Sequence, residues 1–215
     1  MQVYSTENEQ MDQVLNFVKK YGLTVLLAVI VFLGVYWAKN YYDNYQSKNL
    51  SEASTLYDKL TKAQKSKVKI AYANDLLKNF ESTIYSKFAA ITLGKEAVIE
   101  KNYDKAIEHY SWVYQNSNEW EQLRAMAFEN WARVLLIQDK AQEALDKLNH
   151  ENALSKKYSM MFSNLEGDIY TQLGQKDKAV ISYNKALTLI ESNPMLIQSV
   201  KPFYDFVLLK KNELQ

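Results

Sequence analysis

The feature that most constrains this chain is an apolar stretch, Tyr21 to Ala38, whose eighteen residues include no charge. As an α-helix rising 1.5 Å per residue, the stretch would span about 27 Å, close to the roughly 30 Å hydrocarbon thickness of a bilayer. Ten of its residues are Leu, Ile, Val or Phe, and their transfer into the bilayer is favourable by about 3 to 6 kcal/mol in total. We therefore predict one transmembrane helix over residues 21–38, surrounded by the lipid bilayer.

Two other interpretations of the stretch fit its flanks less well. A cleaved signal peptide has a shorter apolar region and a cleavage site of small residues, whereas this stretch runs into the segment YWAKNYYDNY. A helix in a protein core usually carries polar side chains on one face, and this stretch is apolar on all sides. Aromatic rings of the kind that settle among lipid headgroups lie around its end: Tyr36, Trp37, Tyr41, Tyr42 and Tyr45.

The chain divides into four predicted segments. Residues 1–20 have apolar residues at helical spacing and a capping-box spacing from Thr6 to Glu9, which predict a short amphipathic segment at the membrane interface. Residues 21–38 form the transmembrane helix, residues 39–70 a linker helix, and residues 71–215 a helical domain with a C-terminal capping helix. No proline occurs between Tyr45 and Asn193, which favours an all-α domain.

The charge pattern excludes one class of partner and leaves the orientation open. From residue 46 onward, 23 lysine and arginine residues are balanced by 21 aspartate and glutamate residues. We therefore expect no nucleic acid partner. Lys19 and Lys20 precede the apolar stretch, and Lys39 and Lys48 follow it. Because the positive charges are equal on the two sides, the positive-inside rule does not decide where the large domain lies.

The chain beyond Ser86 repeats itself. Small residues recur in the first helix of each predicted pair at Gly94, Ala132 and Gly167. In the second helix they recur at Ala106, Ala144 and Ala179. Both series advance by 38 and then by 35 residues, and small residues let two helices approach closely where they cross. The pattern resembles the tetratricopeptide repeat, a helix-turn-helix unit of about 34 residues. We predict an all-α fold, with one N-terminal transmembrane helix followed by a tetratricopeptide-repeat-like helical solenoid.

We find no pattern of catalytic residues. The chain has no cysteine and two histidines, His109 and His150, each next to a glutamate that would point about 100° away around a helix. The five glycines are scattered and build no phosphate-binding loop, and the motifs of metalloproteases and serine hydrolases are missing. We therefore expect a protein that is not an enzyme and that uses no metal and no cofactor.

The repeat resemblance also implies candidates for protein binding. In proteins with this repeat, the first helix of each unit lines a concave groove. The corresponding residues of this chain are Phe88, Ile91, Met126, Glu129, Arg133, Met161, Asn164 and Asp168. Two of them are methionines, whose flexible side chains suit a surface that adapts to varied apolar segments.

The order of features along the whole chain resembles the YfgM-like family of bacterial inner-membrane proteins, the ancillary subunits of the SecYEG translocon. The residues that carry the resemblance are Tyr4, Glu7, Asn8, Glu9 and Gln13 in the opening, Lys19, Lys20 and Gly22 before the span, Trp37 after it, and the ending FVLLKKNELQ. The resemblance covers the chain in both order and length.

This resemblance implies a single-pass protein of the bacterial inner membrane, with its N-terminus in the cytoplasm and its helical domain in the periplasm. Its partners would be the SecYEG translocon, a membrane-anchored prolyl-isomerase-like chaperone and emerging polypeptide clients, which the domain would assist as they emerge and fold. The alternative, from another functional class, is a membrane-tethered scaffold for an envelope complex such as the cell-division or stress-signalling machinery.

Overall fold

The computed structural model describes the backbone of residues 7–214 and the side chains of residues 11–214 other than 152, 194 and 196. Within that range every regular element is an α-helix. In chain order the helices are α1 (Glu7–Lys62), α2 (Ser66–Asn79), α3 (Ile84–Ile99), α4 (Tyr103–Gln115), α5 (Glu121–Ile137), α6 (Ala141–His150), α7 (Asn152–Lys157), α8 (Ser159–Gln172), α9 (Lys176–Glu191), α10 (Pro194–Ser199) and α11 (Lys201–Asn212). The chain forms two compact units, one up to Glu52 and one from Ala53 onward.

The described residues of the first unit all belong to one element, the N-terminal part of α1. Among the described residues, α1 is the one helix long and apolar enough to cross a membrane. Its large apolar side chains are exposed, Phe32 by 72% and Trp37 by 74% of their surface. The helix continues without interruption through residues 20 and 39, and the limits of the membrane-embedded part stay a prediction. Thr6 of the predicted capping box lies outside the described residues.

The second unit is a stack of helix pairs, as the sequence predicts. We call α3, α5 and α8 the first helices and α4, α6 and α9 the second helices of three pairs. Each first helix packs against its own second helix, and α5 also contacts α3 and α8. The last ten residues of α1 and helix α2 cover one end of the stack through a cluster that includes Ala53, Leu60 and Leu76. The prediction of an all-α, tetratricopeptide-repeat-like domain is confirmed.

A small residue faces a large one in each helix pair, sixteen residues further along the chain. A Cβ atom built on Gly94 would lie 2.6 Å from Cε1 of Tyr110, and one built on Gly167 would likewise overlap the ring of Tyr183. In the middle pair, Ala132 and Leu148 occupy the same two positions and are buried in one cluster. The second series of small residues is fully buried as well: Ala106, Ala144 and Ala179.

The turns within the three pairs share one backbone conformation. Lys101, Asp139 and Gly174 have positive φ angles of 59°, 59° and 71°, and they follow the same steps of 38 and 35 residues as the small residues. In each turn the next residue donates its N–H to a carbonyl five residues earlier, at 2.8 to 2.9 Å. This is the Schellman arrangement that ends helices. It places the second helix in the same way in all three pairs.

The C-terminal helix covers the last pair only in part. Val207 of α11 is fully buried in a cluster with Ala179, Tyr183, Ala186 and Leu187 of α9. Phe206 and Leu209, which the apolar pattern also predicts to cap the stack, keep 51% and 56% of their surface exposed. Val207 is therefore the one fully buried side chain by which α11 closes the end of the stack.

We predict that Gly94→Ala destabilises the repeat domain by about 1–3 kcal/mol, since the added methyl group overlaps the buried ring of Tyr110. Urea unfolding of the purified protein measures the change. The double variant Gly94→Ala/Tyr110→Leu copies the combination Ala132 and Leu148 of the middle pair, and we expect it to be more stable than Gly94→Ala alone. Equal stabilities for Gly94→Ala and the wild type would show that the close contact is not required.

Candidate protein-binding face

The eight residues predicted to bind protein lie on α3, α5 and α8, the first helices of the three pairs. On α5, Met126, Glu129 and Arg133 follow one another at intervals of three and four residues, and Met161, Asn164 and Asp168 do the same on α8. Residues at this spacing share one side of a helix. We call the surface formed by these eight residues the candidate face, and the structure divides it into an apolar part and a polar part.

The apolar part is a groove of about 710 Å³ between the starts of α3 and α5 and the junction of α7 with α8. Phe88 and Met126 are the predicted residues that line it. The other apolar lining residues are Ile84, Trp120, Leu123 and Tyr158, and polar groups surround them at Asn118, Glu119, Glu121, Gln122 and Lys157. This volume lies within the range of common ligand pockets. We refer to it as the apolar groove.

Buried contacts hold the walls of the apolar groove in position. The ring of Tyr57 lies 5.6 Å from the ring of Phe88. Lys87 is 4% exposed, donates a hydrogen bond to the carbonyl oxygen of Glu81, and lies 4.8 Å from the ring of Trp112 and 5.8 Å from that of Trp120. Burial lowers the pKa of Lys87. The ammonium group of Lys87 therefore packs against Trp120, which lines the groove.

The polar part is a network of hydrogen bonds centred on the carboxylate of Asp168. Arg133 donates to Asp168 at 2.7 Å and to Glu129 at 2.8 and 3.1 Å. Tyr183 donates to Asp168 at 2.7 Å. Lys210 donates to both oxygens of Asp168, at 2.7 and 2.9 Å, and to Asn164 Oδ1 at 3.2 Å. We call these six residues the Asp168 network.

The remaining two predicted residues are packing residues rather than groove walls. Ile91 is half-buried against the clusters between α3, α4 and α5. Met161 is half-buried against the cluster of α5, α6 and α8. The structure therefore brings Glu129, Arg133, Asn164 and Asp168 together in one network, Phe88 and Met126 together in one groove, and leaves Ile91 and Met161 in neither; the role of all eight in protein binding stays a prediction.

A family model described as a tetratricopeptide repeat-like domain matches residues 16–202. The chain belongs to this tetratricopeptide repeat-like family. The match includes the apolar part of α1 as well as all three helix pairs, so the long helix and the stack belong to one family pattern.

Relatives from three bacteria are similar to this chain over most of its length, and each is named an ancillary SecYEG translocon subunit. The Haemophilus influenzae protein is 25% identical over 186 residues, which cover 85% of this chain and 90% of the relative. The Buchnera aphidicola protein from the host Acyrthosiphon pisum is 25% identical over 182 residues, 83% and 91% of the two chains. The Aggregatibacter actinomycetemcomitans protein is 28% identical over 171 residues, 78% and 81%. The predicted resemblance is confirmed.

Three donors of the Asp168 network, Arg133, Tyr183 and Lys210, surround the Asp168 carboxylate, and their pKa values are shifted. Burial disfavours the charge of Arg133, but the carboxylates of Glu129 and Asp168 outweigh it and raise the pKa of Arg133. Burial raises the pKa of Tyr183 well above its usual value, and the hydrogen bond to Asp168 adds to the rise. Burial lowers the pKa of Lys210, and the pairing with Asp168 offsets this only in part. Tyr183 is therefore a neutral donor at physiological pH.

Neither histidine contributes to the candidate face. His150 is exposed, and its Nδ1 lies 2.6 Å from the carbonyl oxygen of Asp146. His109 is half-buried on α4, and burial lowers its pKa. Within residues 11–214, apart from 152, 194 and 196, no group of three or more histidine, aspartate or glutamate side chains is arranged to hold a metal ion.

Several residues that line the apolar groove or belong to the Asp168 network were not predicted as site residues. Tyr183 packs against Gly167 where the helices of the last pair cross, and its hydroxyl group reaches Asp168, one residue after that glycine. Trp120 precedes a helix start, and Tyr158 lies in the short link between α7 and α8. Lys210 lies 42 residues beyond Asp168, in a helix outside the repeats, and no local spacing connects the two.

Proposed function

We propose that this protein is a non-enzymatic, membrane-anchored subunit associated with the SecYEG translocon, where its candidate face binds segments of emerging polypeptides. The observation that carries the proposal is the apolar groove of about 710 Å³ in a chain that also has a helix long and apolar enough to cross a membrane. The bacterial relatives are named ancillary SecYEG translocon subunits, which supports the proposed association with the translocon.

The groove suits apolar segments of varied sequence. Its walls are the aliphatic and aromatic side chains of Ile84, Phe88 and Trp120, with Met126 exposed by 37% of its surface. Methionine adapts to different shapes because its side chain is unbranched and flexible. Binding therefore rests on burial of apolar surface, which is non-directional and tolerates many sequences.

A membrane tether makes weak binding sufficient. Confining the groove near the exit of a channel raises its effective concentration toward chains that emerge there, so that moderate affinity gives frequent contact and fast release. We propose that the N-terminus lies in the cytoplasm and the helix pairs lie in the periplasm. A membrane-anchored prolyl-isomerase-like chaperone is a further proposed partner, since chains released from the groove are still unfolded.

We predict that protease added to spheroplasts degrades the repeat domain and leaves a protected N-terminal fragment that contains the apolar helix. An N-terminal epitope tag and an antibody to the domain distinguish the two products on a gel. Protection of the domain until the membrane is lysed would contradict the proposed orientation. A cytoplasmic marker protein that stays intact in the same sample is the control for spheroplast integrity.

We predict that Met126→Lys lowers the affinity for unfolded apolar peptides by about tenfold or more, which corresponds to about 1.4 kcal/mol. The lysine brings a hydrated charge into the apolar groove. Fluorescence anisotropy of labelled peptides measures the affinity. Ile181→Lys is the matched control, because Ile181 is an exposed isoleucine of α9, with 66% of its surface accessible, and does not line the groove.

Two outcomes of this measurement would contradict the proposal. Equal losses in both lysine variants would point to general repulsion rather than to the groove. Absence of peptide binding by the wild type, together with tight binding to one folded envelope protein, would instead support the scaffold function.

A further inference from the structure

The side chain of Lys210 occupies the polar part of the candidate face although its helix, α11, belongs to none of the three pairs. Its ammonium group lies within 2.7 to 3.2 Å of three oxygens, two from Asp168 and one from Asn164. Asn164 and Asp168 are on the side of α8 that corresponds to the side of α5 with Met126, Glu129 and Arg133. Part of the face predicted to bind other chains is therefore bound by the chain's own C-terminal helix.

The carboxylate of Asp168, the main partner of Lys210, is also held by other residues. The carboxylate of Asp168 also accepts hydrogen bonds from Arg133 and Tyr183, so its position does not depend on α11. Asn164 is 1% exposed and is held within α8. A cavity of about 240 Å³ lined by Asp168, Thr171, Tyr183, Lys210, Glu213 and Leu214 adjoins the ammonium group. An incoming side chain has room beside the one already bound.

Helix α11 packs on α9 through one buried residue and several half-buried ones, among them Phe203, Tyr204 and Leu208. Of its twelve residues one, Val207, is buried, whereas α9 has six buried residues among sixteen. Phe206 and Leu209 are more than half exposed. Elements with few buried apolar contacts open at low free-energy cost.

The charges of the face select the chemistry of a competing ligand. Without Lys210 the network contains two carboxylates, those of Glu129 and Asp168, and one guanidinium, that of Arg133. The open site therefore carries one net negative charge in a half-buried environment, where the attraction of a cation is stronger than in water. A lysine side chain with its apolar stem fits this position, as Lys210 does in the closed form.

We propose that α11 is a displaceable latch on the candidate face, and that a bound polypeptide inserts a lysine side chain at Asp168 in place of Lys210. The inference rests on the proposed function, because it concerns the same face. It adds a preference for segments that carry a lysine near their apolar residues. The apolar groove takes the apolar residues, and the Asp168 network takes the cation.

Hydrogen–deuterium exchange on the full-length protein in detergent micelles tests the latch directly. The probes are two labelled peptides with the same apolar sequence, one with a lysine and the other with norleucine in its place. We expect the lysine peptide to increase amide exchange in residues 201–212 of the wild-type protein by about tenfold, with no increase in α8 and α9. The norleucine peptide is expected to leave exchange in α11 unchanged.

Two variants of α11 test the latch from the side of the protein, first without peptide and then with it. Lys210→Met keeps an unbranched apolar stem and removes the ammonium group; Lys211→Met makes the same charge change at the next residue and is the matched control. We expect Lys210→Met to exchange faster in residues 201–212 and to bind the lysine peptide about tenfold more tightly than wild type. Lys211→Met should behave as wild type in both respects.

The outcomes separate this inference from the proposed function. If both peptides bind, with Met126→Lys weakening both, but neither changes exchange in α11, the latch is wrong and the apolar groove stands. The same conclusion follows if Lys210→Met and Lys211→Met bind the lysine peptide equally well. If neither peptide binds to any of the proteins, both the latch and the proposed function are contradicted.

Discussion

The close packing of a small residue under a large one at each helix crossing is the constraint on which the rest of the repeat domain depends. Gly94 under Tyr110 and Gly167 under Tyr183 leave no space for even one more carbon atom. Each crossing is fixed in this way, and each turn has one residue with a positive φ angle at the corresponding position. The three first helices therefore turn corresponding sides outward. The candidate face is a consequence of this regular geometry.

The face combines two kinds of interaction that fit an extended polypeptide. Its apolar groove offers apolar surface that segments of many sequences could bury, and its Asp168 network offers one position for a charged side chain. A half-buried ion pair contributes little net stability, since desolvation offsets most of the attraction. We therefore interpret the network as a device for selecting what lies on the face rather than as a source of fold stability. The burial of Lys210, with its lowered pKa, agrees with this interpretation.

Local patterns predicted the fold well and the site in part. The apolar stretch and the recurring small residues depend on spacing within one helix or between adjacent helices, and both are readable from the sequence. In the middle pair, Ala132 and Leu148 stand where the other two pairs have Gly and Tyr. This difference is also interpretable from the sequence, because the smaller leucine side chain leaves room for the methyl group of alanine. The contact of Lys210 with Asp168 depends on how α11 packs across α9, which no periodic pattern encodes. Trp120 and Tyr158 lie at helix ends, where the helical periodicity that predicts facing residues no longer applies.

Crosslinking in living cells tests the central claim most directly, namely that the candidate face contacts polypeptides at the translocon. A photoreactive amino acid is placed at position 126, in the apolar groove, or at position 181, on the outer side of α9. Our account predicts that position 126 crosslinks to newly secreted chains or to translocon subunits, whereas position 181 does so much less. Equal products from both positions, or none from position 126 while secretion is active, would contradict it.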